Sequence, residues 1–481
     1  MENNNINRIM KLIPIYTWTK GIRNFDVRRK RFSNQPWAQG VLLLCCVVVA
    51  MLLANLPFTK EFYHNVLETE ISIRFQAPGS QGFLFPHGMT VESFINDILM
   101  TVFFFTVGLE IRREMKCGEL SSVKKAMMPV IAAFGGVVMP AIIFTIVNHG
   151  SAASTGWGIP TATDIAFAVG ILSILGDRVP VSLKVFLTAL AIADDLIAIL
   201  VVALFYGGKI NFGLLAISAV LIVLILVMNK LGEKRTWFYL VPAIAIWSLF
   251  YYAGVHSTMS GVVMAFLVPM TPRYNEAYFN RKRGQYLRRL KEYEGIDSSS
   301  PEFPNGPQRH CLRRLAAISS GSMGMTYRLE HALSPWVNFL IMPIFALANA
   351  GVEIPDVSYF NVFHFDPALG SVSMGIFLGL IIGKPLGISL ASFIAVKLHV
   401  GEMPAKASWK MLVAVACLGG IGFTMSIFVD TLSFGDQLPE VTARLRDMGK
   451  VAVLMGSLCA GILGSILINI VHGIESRKAK A

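Results

Sequence analysis

The sequence contains no cysteine pattern that would fix a metal or a disulfide framework. Its six cysteines include no CxxC pair, and Cys45, Cys46, Cys417 and Cys459 lie in apolar runs, where they are read as buried packing residues. Charge is scarce: 15% of the 481 residues are charged and 54% are hydrophobic, far more apolar surface than a soluble core could use. A cleavable secretory signal is also missing, because about 38 polar and basic residues precede the first apolar run. That run is expected to act as an uncleaved anchor. Acidic residues are few, 30 against 42 Lys and Arg, for a net charge of +12. The excess sits in alternate connecting segments, as membrane topology demands, so the expected partner is the lipid bilayer and not nucleic acid.

Long apolar runs are what the chain has in abundance. They fall near residues 39–57, 92–111, 126–147, 156–175, 181–206, 211–229, 236–252, 255–271, 330–350, 371–397, 408–430 and 446–472. The expectation is an all-α membrane protein with twelve transmembrane helices. Basic residues collect before the first run (Arg28, Arg29, Lys30, Arg31), after the second (Arg112, Arg113, Lys116), near Arg178 and Lys184, at 230–235, after the eighth, at 397–410 and at the C-terminus. All of these fall on one side of a twelve-helix path, which places both termini in the cytoplasm; Arg444 and Arg446 are the exceptions. The chain divides into a basic cytoplasmic segment 1–38, helices 1 to 8 over 39–272, a basic cytoplasmic insertion 273–326, helices 9 to 12 over 327–472, and a cytoplasmic tail 473–481. In the outer connection, residues 70–75 and 83–85 flank Pro78-Gly79 and read as an extracytoplasmic hairpin near 70–85, whose free edge suits a homodimer. Within the insertion a charged helix is expected over 281–294 and an unstructured chain elsewhere.

Three charges sit deep in these runs. Asp194 and Asp195 lie at the centre of residues 185–206, and Lys384 lies about ten residues into the tenth run. Each costs roughly 2.5 to 3.5 kcal/mol on insertion scales, which favours charges that face a cavity or one another and mark an ion pathway. Adjacent residues diverge by about 100° on a helix, so the two aspartates do not easily share one structural partner. A Lys384–Asp194 pair, opened by a bound cation or by protonation, is the preferred reading; stabilising broken-helix ends is the competing role for Lys384 and the favoured one for Asp164. The fourth run carries Pro160, Thr161, Thr163 and Asp164, and the eleventh carries LGGIGFT at 418–424. Pro and Gly weaken a helix interior, so both spans are expected to be broken. They are the middle members of triplets 3 to 5 and 10 to 12, the pattern of inverted repeats with crossing broken helices and a midplane site, and NhaA-type antiporters are among the transporters built this way. Thr163 is open to two readings, an oxygen ligand for sodium or a helix cap.

The chain resembles the NhaA-type sodium/proton antiporter family through GLEIRRE (108–114), IPTATDIAFAVGIL (159–172), LTALAIADDL (187–196), YRLEHALSPW (327–336), FALANAGV (345–352), IIGKPLGI (381–388) and GGIGFTMSIF (419–428). It departs from the pattern in the basic insertion, in Ile197 and Ser334, and in Asp430. The resemblance implies that Asp195 is the principal ligand of the transported sodium, that Asp194 is the second proton-active acid, and that Glu110, Arg113, Glu114, Glu330 and His331 form a pH-sensing cluster. Their alternative role is ordinary helix-end charge. The implied activity is electrogenic exchange of sodium or lithium for about two incoming protons by alternating access, in a bacterial inner membrane, serving pH and sodium homeostasis. No enzyme activity and no cofactor are expected. A sodium-coupled organic-solute symporter is the alternative, although it has no need of the Asp194, Asp195 and Lys384 constellation. An aspartyl protease is disfavoured because its two acids should come from different helices.

Overall fold

A computed structural model describes residues 36–71, 73–75, 83–85, 89–208, 210–293, 306–354, 357–363, 365, 370–405, 407–434 and 439–480. The first helices are α1 (Pro36–Asn55) and α2 (Lys60–Glu68), followed by strands β1 (Ile73–Phe75) and β2 (Phe83–Phe85). The strands pair antiparallel with Ile73 opposite Phe85, so the expected hairpin forms, while its Pro78-Gly79 turn lies outside the described residues. Next come α3 (Val91–Cys117) and α4 (Val123–Val147), a 3-10 stretch Ala152–Thr161, α5 (Ile165–Leu175), α6 (Val181–Phe205), α7 (Phe212–Lys230), α8 (Trp237–Ala253) and α9 (Thr258–Leu267). The chain continues through α10 (Glu276–Glu292), α11 (Gly306–Gly321), α12 (Met325–Asn349), α13 (Val372–Lys397), α14 (Trp409–Leu418), α15 (Phe423–Ser433) and α16 (Pro439–Lys480).

Among the described residues, eight helices are long and apolar enough to cross a membrane, and ten spans result if each of two bent pairs counts as one. Helices α8 and α9 are shorter and also apolar. Large apolar side chains such as Leu52, Ile146, Leu204 and Phe212 point outward, an arrangement that lipid accepts and water would penalise. The chain is a multi-pass membrane protein. The two bent pairs are the Ala152–Thr161 stretch with the following helix, bent by 42°, and α14 with α15, bent by 52°. Both interruptions are buried in protein, as a non-helical backbone at membrane depth must be.

Helices α4 and α13 pack backbone to backbone. A Cβ on Gly387 would stand 2.1 Å from the Gly135 carbonyl oxygen, which is the close approach that small residues permit between membrane helices. That contact lies three residues beyond Lys384, which is fully buried. Just before it, α13 widens into a π turn at Gly379–Gly383.

Several expectations require correction. The insertion is not unstructured beyond its first helix: α11 packs on α10, and the Arg273 and Tyr274 amides both donate to the Gly321 carbonyl at its end. The Gly306-Pro307 pair opens this helix, since proline fits the first turn. Residues 294–305 lie outside the described set, as do the basic residues Arg28 to Arg31. Helix α16 runs unbroken to Lys480, so the residues from 473 to 480 continue the last helix. The eighth apolar run gives α9, which is shorter than expected and ends at Leu267, where extended Val268 precedes Pro269. Cys45 is exposed on α1 and is not a packing residue.

An ion-binding candidate at the crossing of the broken helices

The site begins with the two interruptions, which lie against each other. The Asp164 amide donates to the Ile421 carbonyl at 2.6 Å, and the Thr163 hydroxyl donates to the Gly419 carbonyl at 2.8 Å. Asp164 is the N-cap of α5: its Oδ1 accepts from the Phe167 amide at 3.2 Å. Its Oδ2 accepts from the Thr424 amide at 3.2 Å and from the Thr424 hydroxyl, so one carboxylate ties together the first turns of α5 and α15. Two orphan helix N-termini share a single anion there, which suits their dipoles.

Lys384 reaches into this crossing from α13. Its Nζ donates to Asp194 Oδ2 at 2.5 Å and to Thr163 Oγ1 at 2.8 Å, and both charged side chains are fully buried. One geometry thus brings Lys384 against Asp194 and, through Thr163, against the break. The Thr163 hydroxyl spends its proton on Gly419 and one lone pair on Lys384.

Asp195 is 2% exposed, and its Oδ1 has no hydrogen-bond partner among the described residues. It lines a cavity of about 280 Å³ together with Asp164, Thr424, Glu110, Arg113, Glu330, Ser334 and Gln39. The mouth of this cavity lies at the end of the bundle where α3 finishes and α12 begins. The adjacent aspartates therefore divide their tasks by helix geometry: Asp194 faces the lysine and Asp195 faces the cavity. An unpaired carboxylate oxygen beside the Thr424 hydroxyl and the Asp164 carboxylate is a set of hard oxygen donors suited to an alkali cation or a proton.

Over residues 30–468 the chain matches the family described as Na+/H+ antiporter 1. It belongs to that family. The Na(+)/H(+) antiporter NhaA of Wolinella succinogenes is 39% identical over 447 residues, covering 93% of this chain and 94% of the relative. A protein of the same name from Bacteroides thetaiotaomicron is 40% identical over 458 residues, covering 93% and 98%. In this member of the antiporter family, the cavity mouth carries the second group of residues singled out from sequence. Arg113 Nη1 donates to Glu330 Oε1 at 2.5 Å and Nη2 to Glu114 Oε1 at 3.1 Å, while Glu110 lines the cavity beside them. His331 is not brought into the group, since it is exposed and its ring packs on Tyr327 at 4.1 Å between centroids. Ser334 lines the cavity as well, and its hydroxyl donates to the Glu330 carbonyl at 2.7 Å. Sequence reasoning missed Thr424, although a hydroxyl directly after a glycine-rich break is a visible signal. It also missed Ser457 of α16, whose Oγ accepts from the Phe423 amide at 3.0 Å and caps the start of α15.

Proposed function

We propose that this chain is an electrogenic sodium/proton antiporter that also accepts lithium and works by alternating access. The observation that carries the reading is the pairing of roles within one dipeptide: Asp195 lines the cavity with an unpartnered oxygen, while Asp194 is held by the fully buried Lys384. Sodium and protons compete for the Asp195 oxygens, so only one can be carried at a time, which is the minimum requirement for exchange. Asp194 adds a second titratable carboxylate, supporting two protons per sodium and net charge movement. Asp164 and Thr424 hold the crossed helix ends, and the Thr163 oxygens stand next to the pair that must open. The positive-inside pattern supports a cytoplasmic position for the cavity mouth and both termini, in a bacterial inner membrane. Counting α8, α9 and the two bent pairs as spans gives twelve, arranged with inverted repeats 3 to 5 and 10 to 12. Such a protein extrudes sodium on the inward proton gradient and serves pH and sodium homeostasis.

The test is a proton-gradient assay in everted vesicles, where added sodium should collapse a respiration-driven acidification. A gradient untouched by sodium would sink the reading and favour solute symport.

The cavity-mouth cluster supplies a regulatory expectation. Glu110, Arg113, Glu114 and Glu330 are proposed to sense cytoplasmic pH by changing the charge at the entrance to Asp195. Glu330→Gln is expected to move the activation midpoint by about half a pH unit at saturating sodium, with the maximal rate kept. Identical pH profiles would return these residues to the role of helix-end charges.

The paired strands β1 and β2 have outer edges on which a second copy can add, so a homodimer with a complete ion path in each protomer is proposed. Deleting residues 71–85 should lower the oligomeric mass in mild detergent and spare exchange. An unchanged mass would remove the hairpin from the interface.

A further inference from the structure

Asp430 is the buried acid that the exchange site does not use. It stands on α15 six residues beyond Thr424, about 9 Å farther along the half-helix and away from the cavity. It is fully buried, and neither carboxylate oxygen has a hydrogen-bond partner among the described residues. Space has been made for it: a Cβ on Gly449 of α16 would stand 2.1 Å from Asp430 Oδ1. Among the described residues the charged groups within electrostatic reach of it, Lys450, Arg446 and Asp447, come from α16, and Tyr206 at the end of α6 lies within the same reach. The 3-10 stretch and the last turns of α12, which also pack on α15, carry no charged side chain. Lys450 is 9% exposed, and Arg446 Nε is buried without a partner. Asp447 in turn lies within electrostatic reach of His64 on α2 and of Glu353, which is paired at the surface with Lys60. Titratable groups therefore lead from the face opposite the cavity mouth to a carboxylate on the same half-helix as Thr424.

We propose that Asp430 is a further proton-exchanging carboxylate, beyond Asp194 and Asp195, a station on the extracytoplasmic side of the route to Asp195, with Lys450 as its counter-charge. The inference rests on the antiport reading above. A proton is favoured over sodium as the occupant because a proton needs only one carboxylate oxygen, whereas sodium needs several oxygen ligands and neither Asp430 oxygen has a partner among the described residues. In the proposed step Asp430 takes one proton from outer water by way of Asp447 and becomes the carboxylic acid. On releasing that proton toward the Asp195 carboxylate, which accepts it when empty of sodium, it returns to the carboxylate, opposite the Lys450 ammonium. One proton enters, one leaves, and no other bond changes.

The experiment uses the full-length protein in proteoliposomes with the pH of each side set separately. Asp430→Asn should lower the maximal exchange rate about tenfold or more and move the dependence on outer pH by about one pH unit, while the sodium KM on the cavity side stays within about twofold; Asp430→Glu should restore the profile. An outer-pH profile of Asp430→Asn that superimposes on the wild type would overturn the proposal. If the variant is inactive, infrared difference spectra of the purified protein decide: the loss of one titrating carboxylic C=O band supports the assignment, and its persistence overturns it. Absence of sodium-dependent flux in the wild type would instead defeat the antiport reading, and the infrared comparison would still report on Asp430.

Discussion

Asp195→Asn should reduce sodium-dependent proton flux to the vesicle background. The amide keeps an oxygen that can face sodium, but it has no proton to release in exchange, so the coupling is lost even where some binding survives. Sodium should also cease to stabilise the protein. A ligand present at a hundred times its dissociation constant stabilises the state it binds by about 2.7 kcal/mol, so the wild type should melt at higher temperature in sodium than in choline, and Asp195→Ala should not. Competition sets a further signature. Where the site is protonated, each unit fall in pH should raise the apparent sodium dissociation constant about tenfold per proton displaced, because the cation must expel the proton to bind. Wild-type flux in Asp195→Asn, or sodium-dependent melting retained in Asp195→Ala, would remove Asp195 from the site.

Lys384→Ala should have the largest effect on stability. Removing one partner of a buried pair costs about 3 to 5 kcal/mol, because the remaining charge is left uncompensated in a low-dielectric interior. The lysine also holds Thr163, and through it the Gly419 carbonyl, so both broken helices should loosen at their crossing. Asp194→Asn alone leaves the ammonium with only Thr163. The double variant should be less destabilised than the sum of the two single ones, since neither charge then remains unpaired. Thermal denaturation of the purified variants in detergent measures this, and strict additivity would mean that the 2.5 Å contact does not couple the two residues energetically.

The residues that stand out in the sequence are those whose environment is visible locally. A carboxylate or ammonium flanked on both sides by apolar residues declares its own depth and cost, so Asp194, Asp195 and Lys384 are identifiable from their runs. The interruptions are legible for the same reason, because Pro160 and the glycines at 419, 420 and 422 oppose a helix wherever they occur. Alternation of basic loops and seven ordered motifs carry the family and the multi-pass architecture.

What the chain alone leaves undecided is which residues meet. Lys384 lies 190 residues from Asp194 and 221 from Thr163, and Arg113 lies 217 residues from Glu330. Periodicity gives the face and depth of a side chain, but not which helix that face will find. Tertiary packing settles it: Gly135 and Gly387 let α4 and α13 approach until Lys384 is buried at the crossing, and adjacency on α6 turns one aspartate to the lysine and the other to the cavity. His331 stays out of the cluster its neighbour Glu330 joins because consecutive residues leave a helix about 100° apart. The helix Gly306–Gly321, too polar to announce itself, is held by packing on α10. Asp430 shows the same division, for its position in an apolar run is plain from sequence, whereas its empty oxygens and the space left by Gly449 exist only once α15 and α16 are side by side.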